Sequence, residues 1–511
     1  MRSCIELYDK YLNKSQQKKI TIESFVEPFS QFVVDKISSE YKLNDKFKKS
    51  IKINTSKEIL SYFSKVLITE ANVYKLEHNI DSLIFSEYFE YITQKNNFQK
   101  LHNLYPFLFN FLMNRCDLII NSYILCLNNY NNDKEILKEK GLIQNNEELI
   151  YIERNVGDSH SNGNTVMKLH FTKSTLFYKP QSSKLTKKLF EIQNWISQRS
   201  DIDFHRYKIA NFCNHAYEES VTHELCKNEE DLINYYYNIG VITGMIYLFN
   251  GTDYHYENII AHGRFPVLID NETLFDPKLI NRTIYDHLKN SSLFPSPNIK
   301  IDISGLSGCF SSQKIKSEQL KKIGDSYVLE TSEVMLKRMN NIPIDKIDFN
   351  YIYKHKIEEI KRGFEDLLTV FLENKEDFLK SKIFKSLKHE RARFLYRETM
   401  FYSQLLLTGT HPYHIKTKEL FTKFLIKNIT KTSKTKLIDK EIEQLLNGDI
   451  PIFSIDLNKN YINENENIKF ESTPFDYIYK KIVNLNKKNI EQGKLDIDKI
   501  FYEYKEVINS D

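Results

Sequence analysis

The 511-residue chain carries 72 Lys+Arg against 68 Asp+Glu, so its formal charge of +4 is the small remainder of two large populations and gives no general case for nucleic-acid binding. With 41% hydrophobic residues it can bury a sizeable core, and its length suits roughly two to four domain-sized units. The opening MRSCIELYDKYLNKSQQKK lacks the apolar stretch of a signal peptide, and the run Ile239 to Phe249 falls short of the roughly 20 residues of a membrane helix, so a soluble, cytoplasmic protein is expected.

From the N-terminus to about residue 145, apolar residues recur at helical intervals, as in Phe107, Phe109, Phe111, Leu112 and later Leu118, Ile119, Tyr123, Leu125, which predicts a mostly helical region. From about 147, "ELIYIER", "TVMKLHF" and "STLFYKP" are short β-prone runs with polar breaks, and predict adjacent strands. "DLINYYYNIGVITGMIYLFNG" reads as a buried helix stopped at Gly251. After residue 290, Ser, Pro and Gly mark a long loop through "SSLFPSPNIKIDISGLSGCFSSQK". Helical periodicity then returns in "KRGFEDLLTVFLENKEDFLK" and "ERARFLYRETMFYSQLLL". The Asn-rich stretches 128 to 135 and 457 to 468 look like surface loops. Cys4, Cys116, Cys126, Cys213, Cys226 and Cys309 have neither CxxC nor CxH spacing, so buried free thiols are expected, with no disulfide framework and no zinc.

The chemistry concentrates in "TDYHYENIIAHGRFPVLIDNETLF", residues 252 to 275, where an apolar run separates Asp253, His255, Glu257 and Asn258 from Asp270 and Glu272. Carboxylate and amide oxygens suit Mg²⁺, which takes one or two acidic side chains together with substrate phosphates. A loop acid, a following Asn and a second acid after a strand are recurring parts of phosphoryl-transfer sites. In that reading Asp253 is the base candidate, Asn258 and Asp270 are metal ligands, and His255 or Glu272 supports the site or contacts phosphate. A solvated loop on each side of a core strand would use the same residues. A transition-metal site on His255 and His262 is the further alternative.

Such a site needs a cation for nucleotide phosphates, and Lys179, closing "STLFYKP", is the candidate. The turn "GDSHSNGN" could bring Asp158 and His160 to the same place, although Asp, Ser, Asn and Gly are ordinary turn formers.

Taken in order, "GDSHSNGN", "FYKP", "AYEESV", the 252 to 275 stretch, "RARFLYRETMFY", "GTHP" and "NGDIPIF" resemble the dehydratase domain of class II lanthipeptide synthetases, the LanM type, over about residues 150 to 455. The resemblance implies an α+β fold with a lipid-kinase-like two-lobed core elaborated by helical N- and C-terminal regions. It implies an enzyme that uses ATP and Mg²⁺ to phosphorylate Ser and Thr of a leader-bearing precursor peptide, then eliminates phosphate to leave dehydroalanine and dehydrobutyrine. Its phosphorylation residues fall on Asp158, His160, Lys179, Asp253, His255, Asn258, Asp270 and Glu272, and its elimination residues on Arg393 and Thr399.

The expected division is a helical region 1–145 that contacts the leader, a kinase-like core 146–290, and an activation-loop-like and helical part 291–511 carrying Arg393 and Thr399. "ERARFLYRETMFY" is read as a helix with Arg393 and Arg397 on one face, where a solvated Arg-rich face is the plain alternative. Asp158 and His160 are candidates for the elimination base. Full-length members continue into a zinc-holding cyclase domain, and this chain has no cysteine beyond Cys309, so no cyclase domain is expected and a separate LanC-like cyclase becomes a possible partner. Asn271 stands where an aliphatic residue is expected. A peptide or small-molecule kinase without elimination, and a non-catalytic leader-binding scaffold, are the competing readings.

Overall fold

The structure is a computed structural model and describes residues 4–12, 20–80, 85–296, 301–308, 314–324, 326–335, 340–345, 349–432 and 435–510. Cys309 and parts of the loop after residue 296 lie outside them. Helix and antiparallel sheet occupy separate parts of the molecule, an α+β arrangement.

Six helices come first: α1 (Cys4–Leu12), α2 (Glu27–Glu40), α3 (Asp45–Glu77), α4 (Phe85–Ile92), α5 (Lys95–Leu104) and α6 (Pro106–Glu139). Asn44 caps α3 by accepting from Phe47 N–H at 2.8 Å, and Pro106 opens α6 at a position where its missing N–H costs nothing. The Asn-rich stretch 128 to 135 is not a loop but part of α6. Its helix is fixed by what it touches: Asn129 donates to the Tyr178 hydroxyl at 2.8 Å and Asp133 pairs with His215 Nε2 at 2.6 Å, so polar residues of this stretch face the sheet.

The sheet has five antiparallel strands in the order β1-β2-β3-β5-β4, formed by β1 (Leu149–Glu153), β2 (Met167–Phe171), β3 (Thr175–Lys179), β4 (Ile209–Asn211) and β5 (Ala216–Glu219), with α7 (Lys184–Ser197) between β3 and β4. Alternation sends Met167, Leu169, Leu176 and Tyr178 into the core shared with the N-terminal helices.

A second core gathers around α8 (Glu229–Leu248) and α11 (Ile357–Glu373). These helices cross at the closest range backbones allow: a Cβ on Gly240 would lie 2.0 Å from the Ile360 carbonyl oxygen, and one on Gly363 1.9 Å from that of Tyr237. Helix α8 ends at Leu248 with Phe249 as its C-cap, two residues before the predicted Gly251 stop. The hairpin β6 (Ile259–His262) and β7 (Phe265–Leu268) follows, then α9 (Ile284–Asn290).

The sequence reading missed a hairpin of two ten-residue strands, β8 (Lys314–Ile323) and β9 (Ser326–Met335), which extends from the second core to the N-terminal helices through Tyr327 on Phe85. Helices α10 (Phe349–His355) and α12 (Lys375–Lys380) flank α11, and α13 (Lys382–Leu387) packs on α12 and α7. Strand β10 (Arg391–Phe394) comes next, followed by α14 (Thr399–Gly409), α15 (Pro412–Ile415), α16 (Lys418–Ile429) and α17 (Ile438–Leu445). Strands β11 (Phe453–Asp456), β12 (Tyr461–Ile462) and β13 (Asn465–Lys469), with α18 (Pro474–Val483) and α19 (Lys487–Ser510), complete the chain. The predicted loop 457 to 468 therefore contains most of a hairpin.

The largest departure lies at "ERARFLYRETMFY". Arg391 to Phe394 pair with Asp456 to Phe453 as a two-stranded sheet, and the helix begins only at Thr399. Local helical spacing loses here to tertiary pairing, because β11 and the Glu272 carbonyl supply main-chain partners that a helix would forgo. Arg397 is turned away from Arg393 and sits buried against Glu441, with Nε 2.5 Å from Oε1. Of the described cysteines, Cys4, Cys116 and Cys126 are buried, but Cys226 is half-buried and Cys213 exposed, against the expectation of buried thiols throughout.

Candidate active site

Lys179 is the last residue of β3, the central strand of the sheet, and there its Nζ is 3.2 Å from Glu218 Oε2 on β5 and donates to the Ile269 carbonyl at 3.1 Å. That second bond carries it across to the segment that follows β7. Burial disfavours the Lys179 charge, but Glu218, Asp270 and Glu272 outweigh burial and raise its pKa.

The loop after α8 holds Asp253 with a left-handed backbone, φ 68°, an uncommon conformation for a non-glycine residue. Asn258 fixes it by donating from Nδ2 to the Asp253 carbonyl at 2.7 Å. Glu257 N–H donates to His255 Nδ1 at 3.2 Å, which leaves His255 Nε2 facing Asp253 Oδ1 at 3.9 Å. From the far side, Tyr256 N–H donates to the Ile303 carbonyl at 3.1 Å, so residues 301 to 308 brace the loop. Burial pushes the Asp253 carboxyl up to about 6, with Asp270 and Glu272 adding to the rise and His255 and Arg393 opposing it.

Asp270 and Glu272 follow β7, and Glu272 N–H donates to Asp270 Oδ1 at 3.4 Å. Burial raises the pKa of Asp270, helped by the Glu272 charge and opposed by Lys179 and Arg393. The buried Asn271 between them has an Oδ1 without a hydrogen-bond partner among the described residues.

Arg393 reaches the same place from β10. Its main-chain N–H donates to the Glu272 carbonyl at 2.7 Å and its Nη1 to Glu272 Oε1 at 2.5 Å. Its buried Nη2 has no partner among the described residues. A buried guanidinium nitrogen without an acceptor is costly unless a ligand supplies one.

His160 sits in the β1–β2 connection, with Nδ1 2.6 Å from the Ile450 carbonyl. A carbonyl only accepts, so Nδ1 carries the proton and Nε2 keeps its lone pair. Burial and then the Arg393 charge lower its pKa to about 4, against Ile450, Asp158 and Asp449, and the ring is neutral at pH 7. Asp158 is exposed beside it. Thr399 opens α14 at a half-buried position, and no hydrogen bond or ion pair joins it to the other candidates among the described residues. His262, the other half of the alternative metal pair, is turned elsewhere: its Nδ1 is 2.8 Å from the Thr222 carbonyl and its ring lies against His205.

Two groups were not singled out from the residues. Glu218 of "AYEESV" is the partner of Lys179, and Asp449 of "NGDIPIF" holds the turn that bears His160. Asp449 accepts Gly163 N–H on both oxygens at 3.2 and 3.0 Å, Ser159 Oγ at 2.6 Å and Arg115 Nη1 at 3.0 Å. Gly163 has φ 81°, and a Cβ there would lie 2.6 Å from Leu118 Cβ, so the turn needs glycine. The signal available in sequence was the recurrence of both acids inside motifs of the resemblance.

A family model described as Domain of unknown function (DUF4135) matches residues 105–456. A curated protein, the lacticin 481/lactococcin biosynthesis protein LcnDR2 of Lactococcus lactis subsp. lactis, is 27% identical over 445 residues, covering 80% of this chain and 47% of the relative. The chain thus spans about half the length of that relative. Both matches support the LanM-type resemblance carried by the motifs.

Proposed function

The chain belongs to the DUF4135 family, and from that premise we propose that it is a lanthipeptide dehydratase, which phosphorylates Ser and Thr of a leader-bearing precursor peptide with ATP and Mg²⁺ and then eliminates the phosphate. The printed name of its relative, a lacticin 481 biosynthesis protein, favours a peptide substrate of that kind. The sheet bearing Lys179 and Glu218, set against the α8 half bearing Asp253 and Asp270, supports a lipid-kinase-like, two-lobed core.

The observation that carries the proposal is a charge imbalance. Among the described residues, four carboxylates, buried Glu218 and half-buried Asp253, Asp270 and Glu272, meet two cations, Lys179 and Arg393, in one cluster. Burial raises the pKa of Asp253 and Asp270, and repulsion from neighbouring carboxylates adds to the rise. A divalent cation fits that deficit and the donor set: Asp270 with Asn258 would hold Mg²⁺ through hard oxygens, since Asn258 spends its Nδ2 on Asp253. When bound, the ion would offset the charge of the nucleotide phosphates.

In phosphoryl transfer, Lys179 orients the phosphates and Asp253, with a pKa of about 6, accepts the hydroxyl proton. The substrate Oγ–P bond forms as the bond from the γ-phosphorus to the bridging oxygen breaks, and ADP leaves. Asn258 holds Asp253 in its strained geometry, and His255 faces its carboxylate. In elimination, a base takes the Cα proton, the Cα–H electrons form the Cα=Cβ bond, and the Cβ–O bond breaks with its electrons on the departing phosphate. Arg393 receives that phosphate on its unpartnered Nη2. His160, neutral and with no hydrogen bond to its Nε2 among the described residues, is the base we assign. The dehydrated peptide would suit thiol addition by a separate cyclase.

Intact mass of a precursor peptide incubated with the protein, ATP and Mg²⁺ tests the proposal. It requires loss of one water per modified Ser or Thr. Stable phosphopeptide would leave a kinase without elimination, and an Asp253→Ala protein that performs as well as wild type in cells would leave a scaffold.

A further inference from the structure

We infer that Lys278 is a positioning residue that ties the loop carrying Asp253 to the strand carrying Arg393, so that a side chain phosphorylated at the first stays within reach of the second. The inference rests on the function proposed above and concerns a residue that enters none of its chemical steps.

The tie runs through a buried acid. Asp276 accepts from Thr252 Oγ1 at 3.2 Å, immediately before Asp253, and its N–H donates to the Asn250 carbonyl at 2.9 Å. Thr273 Oγ1 donates to the Thr252 carbonyl at 2.5 Å. The Asp253 loop is thereby bound on one side to residues 273 to 276. Lys278 takes hold of the same acid twice: its N–H donates to Asp276 Oδ1 at 2.8 Å, and its Nζ is 3.2 Å from Oδ2. That Nζ also donates to the Leu395 carbonyl at 2.9 Å, two residues beyond Arg393 and four before Thr399, and lies 5.6 Å from the centre of the Phe394 ring.

Arg393 is already fastened on its other side, where its N–H meets the Glu272 carbonyl. With both ties in place, the strand cannot slide relative to the loop without breaking the bond to the Glu272 carbonyl or the one that Lys278 makes to the Leu395 carbonyl. Reactions that depend on placement lose rate steeply when a group moves by about 1 Å, and here the placement at stake is that of Arg393 on a phosphate delivered by the Asp253 loop. A half-exposed lysine on a surface carboxylate would be worth little; this one joins a carboxylate 3% exposed to a main-chain carbonyl.

Lys278→Met keeps the stem over Phe394 and removes the donor, whereas Lys278→Arg keeps a donor. Hydrogen–deuterium exchange of the full chain reads the tie without any need for activity. In Lys278→Met, amides 395 to 399 should exchange about tenfold faster while those of β2 and β3 do not change, since local opening is governed by local contacts. With peptide, ATP and Mg²⁺, phosphopeptide should accumulate while ADP release stays within about twofold of wild type. Lys278→Arg should restore both. Unchanged exchange overturns the inference, as does an equal fall of phosphorylation and elimination. If the wild-type protein neither phosphorylates nor dehydrates, the proposed function fails, and the exchange result alone decides the tie.

Discussion

Two charge clusters among the described residues, one buried and one half-buried, are built on opposite terms. In the first, Glu58 of α3 and Asp449 meet Arg115 of α6 and Arg154, two acids for two bases. Each guanidinium is supplied with acceptors: Arg115 also reaches the Asn447 carbonyl at 2.9 Å, and Arg154 the Gly163 carbonyl at 2.7 Å. Burial resists the Glu58 charge, but the two arginines hold its carboxyl down to about 2. In the second cluster four acids crowd two bases among the described residues, two carboxyls are pushed up, and a guanidinium nitrogen has no acceptor among those residues. A cluster complete in itself joins the N-terminal helices to the His160 turn. An incomplete one is what a site awaiting a cation and a phosphate should look like.

The contrast breaks if the two clusters respond alike to losing an acid. Asp270→Asn should cut phosphorylation by about 10³-fold, the scale of losing one preorganised electrostatic group, yet raise the melting temperature, because it removes one of several repelling charges. ADP release and a thermal melt read the two effects together. Glu58→Gln should do the reverse, destabilising by about 3–5 kcal/mol as it leaves buried Arg154 without its carboxylate and Arg115 with Asp449 alone, which denaturant titration measures. Arg393→Ala should leave phosphorylation near wild type and slow elimination by about 10²-fold, seen as phosphopeptide in intact mass.

Acidity sharpens the same contrast. Asp253 has its pKa raised from 3.8 to about 6, so the fold favours the protonated form; its contribution to stability is full below the ordinary value and lost as pH rises through 6. Glu58, lowered from 4.5 to about 2, contributes above its ordinary value and loses that contribution as pH falls toward 2. Neutral pH therefore favours the structural cluster and works against the site. Phosphorylation should fall about tenfold per unit below pH 6, as its base protonates. A pH–rate profile with an ascending limb near 6 that disappears in Asp253→Asn checks this.

Much of the layout is legible in sequence where a local pattern and the final environment agree. The N-terminal helices follow from apolar spacing, β2 and β3 from short alternating runs, and the paired acids around Phe265 to Leu268 announce themselves by type. Legibility fails where distant partners decide. Arg391 to Phe394 have helical spacing but become a strand because β11, some sixty residues later, and the Glu272 carbonyl offer main-chain pairing. The Asn-rich end of α6 has loop composition but is helical because its polar side chains meet Tyr178 and His215. Glu218 and Asp449 carry no local mark of their role, since each acquires it only when Lys179 or Gly163 is brought alongside.

The most direct measurement is the melting temperature of wild type and Asp270→Asn with a non-hydrolysable ATP analogue, titrated with and without Mg²⁺. The account predicts that wild type melts higher as the metal–nucleotide concentration rises, in the manner of a ligand bound to the folded state alone, and that neither metal omission nor the variant gives that rise. A wild-type protein indifferent to the pair, or a variant that responds as strongly as wild type, would contradict it.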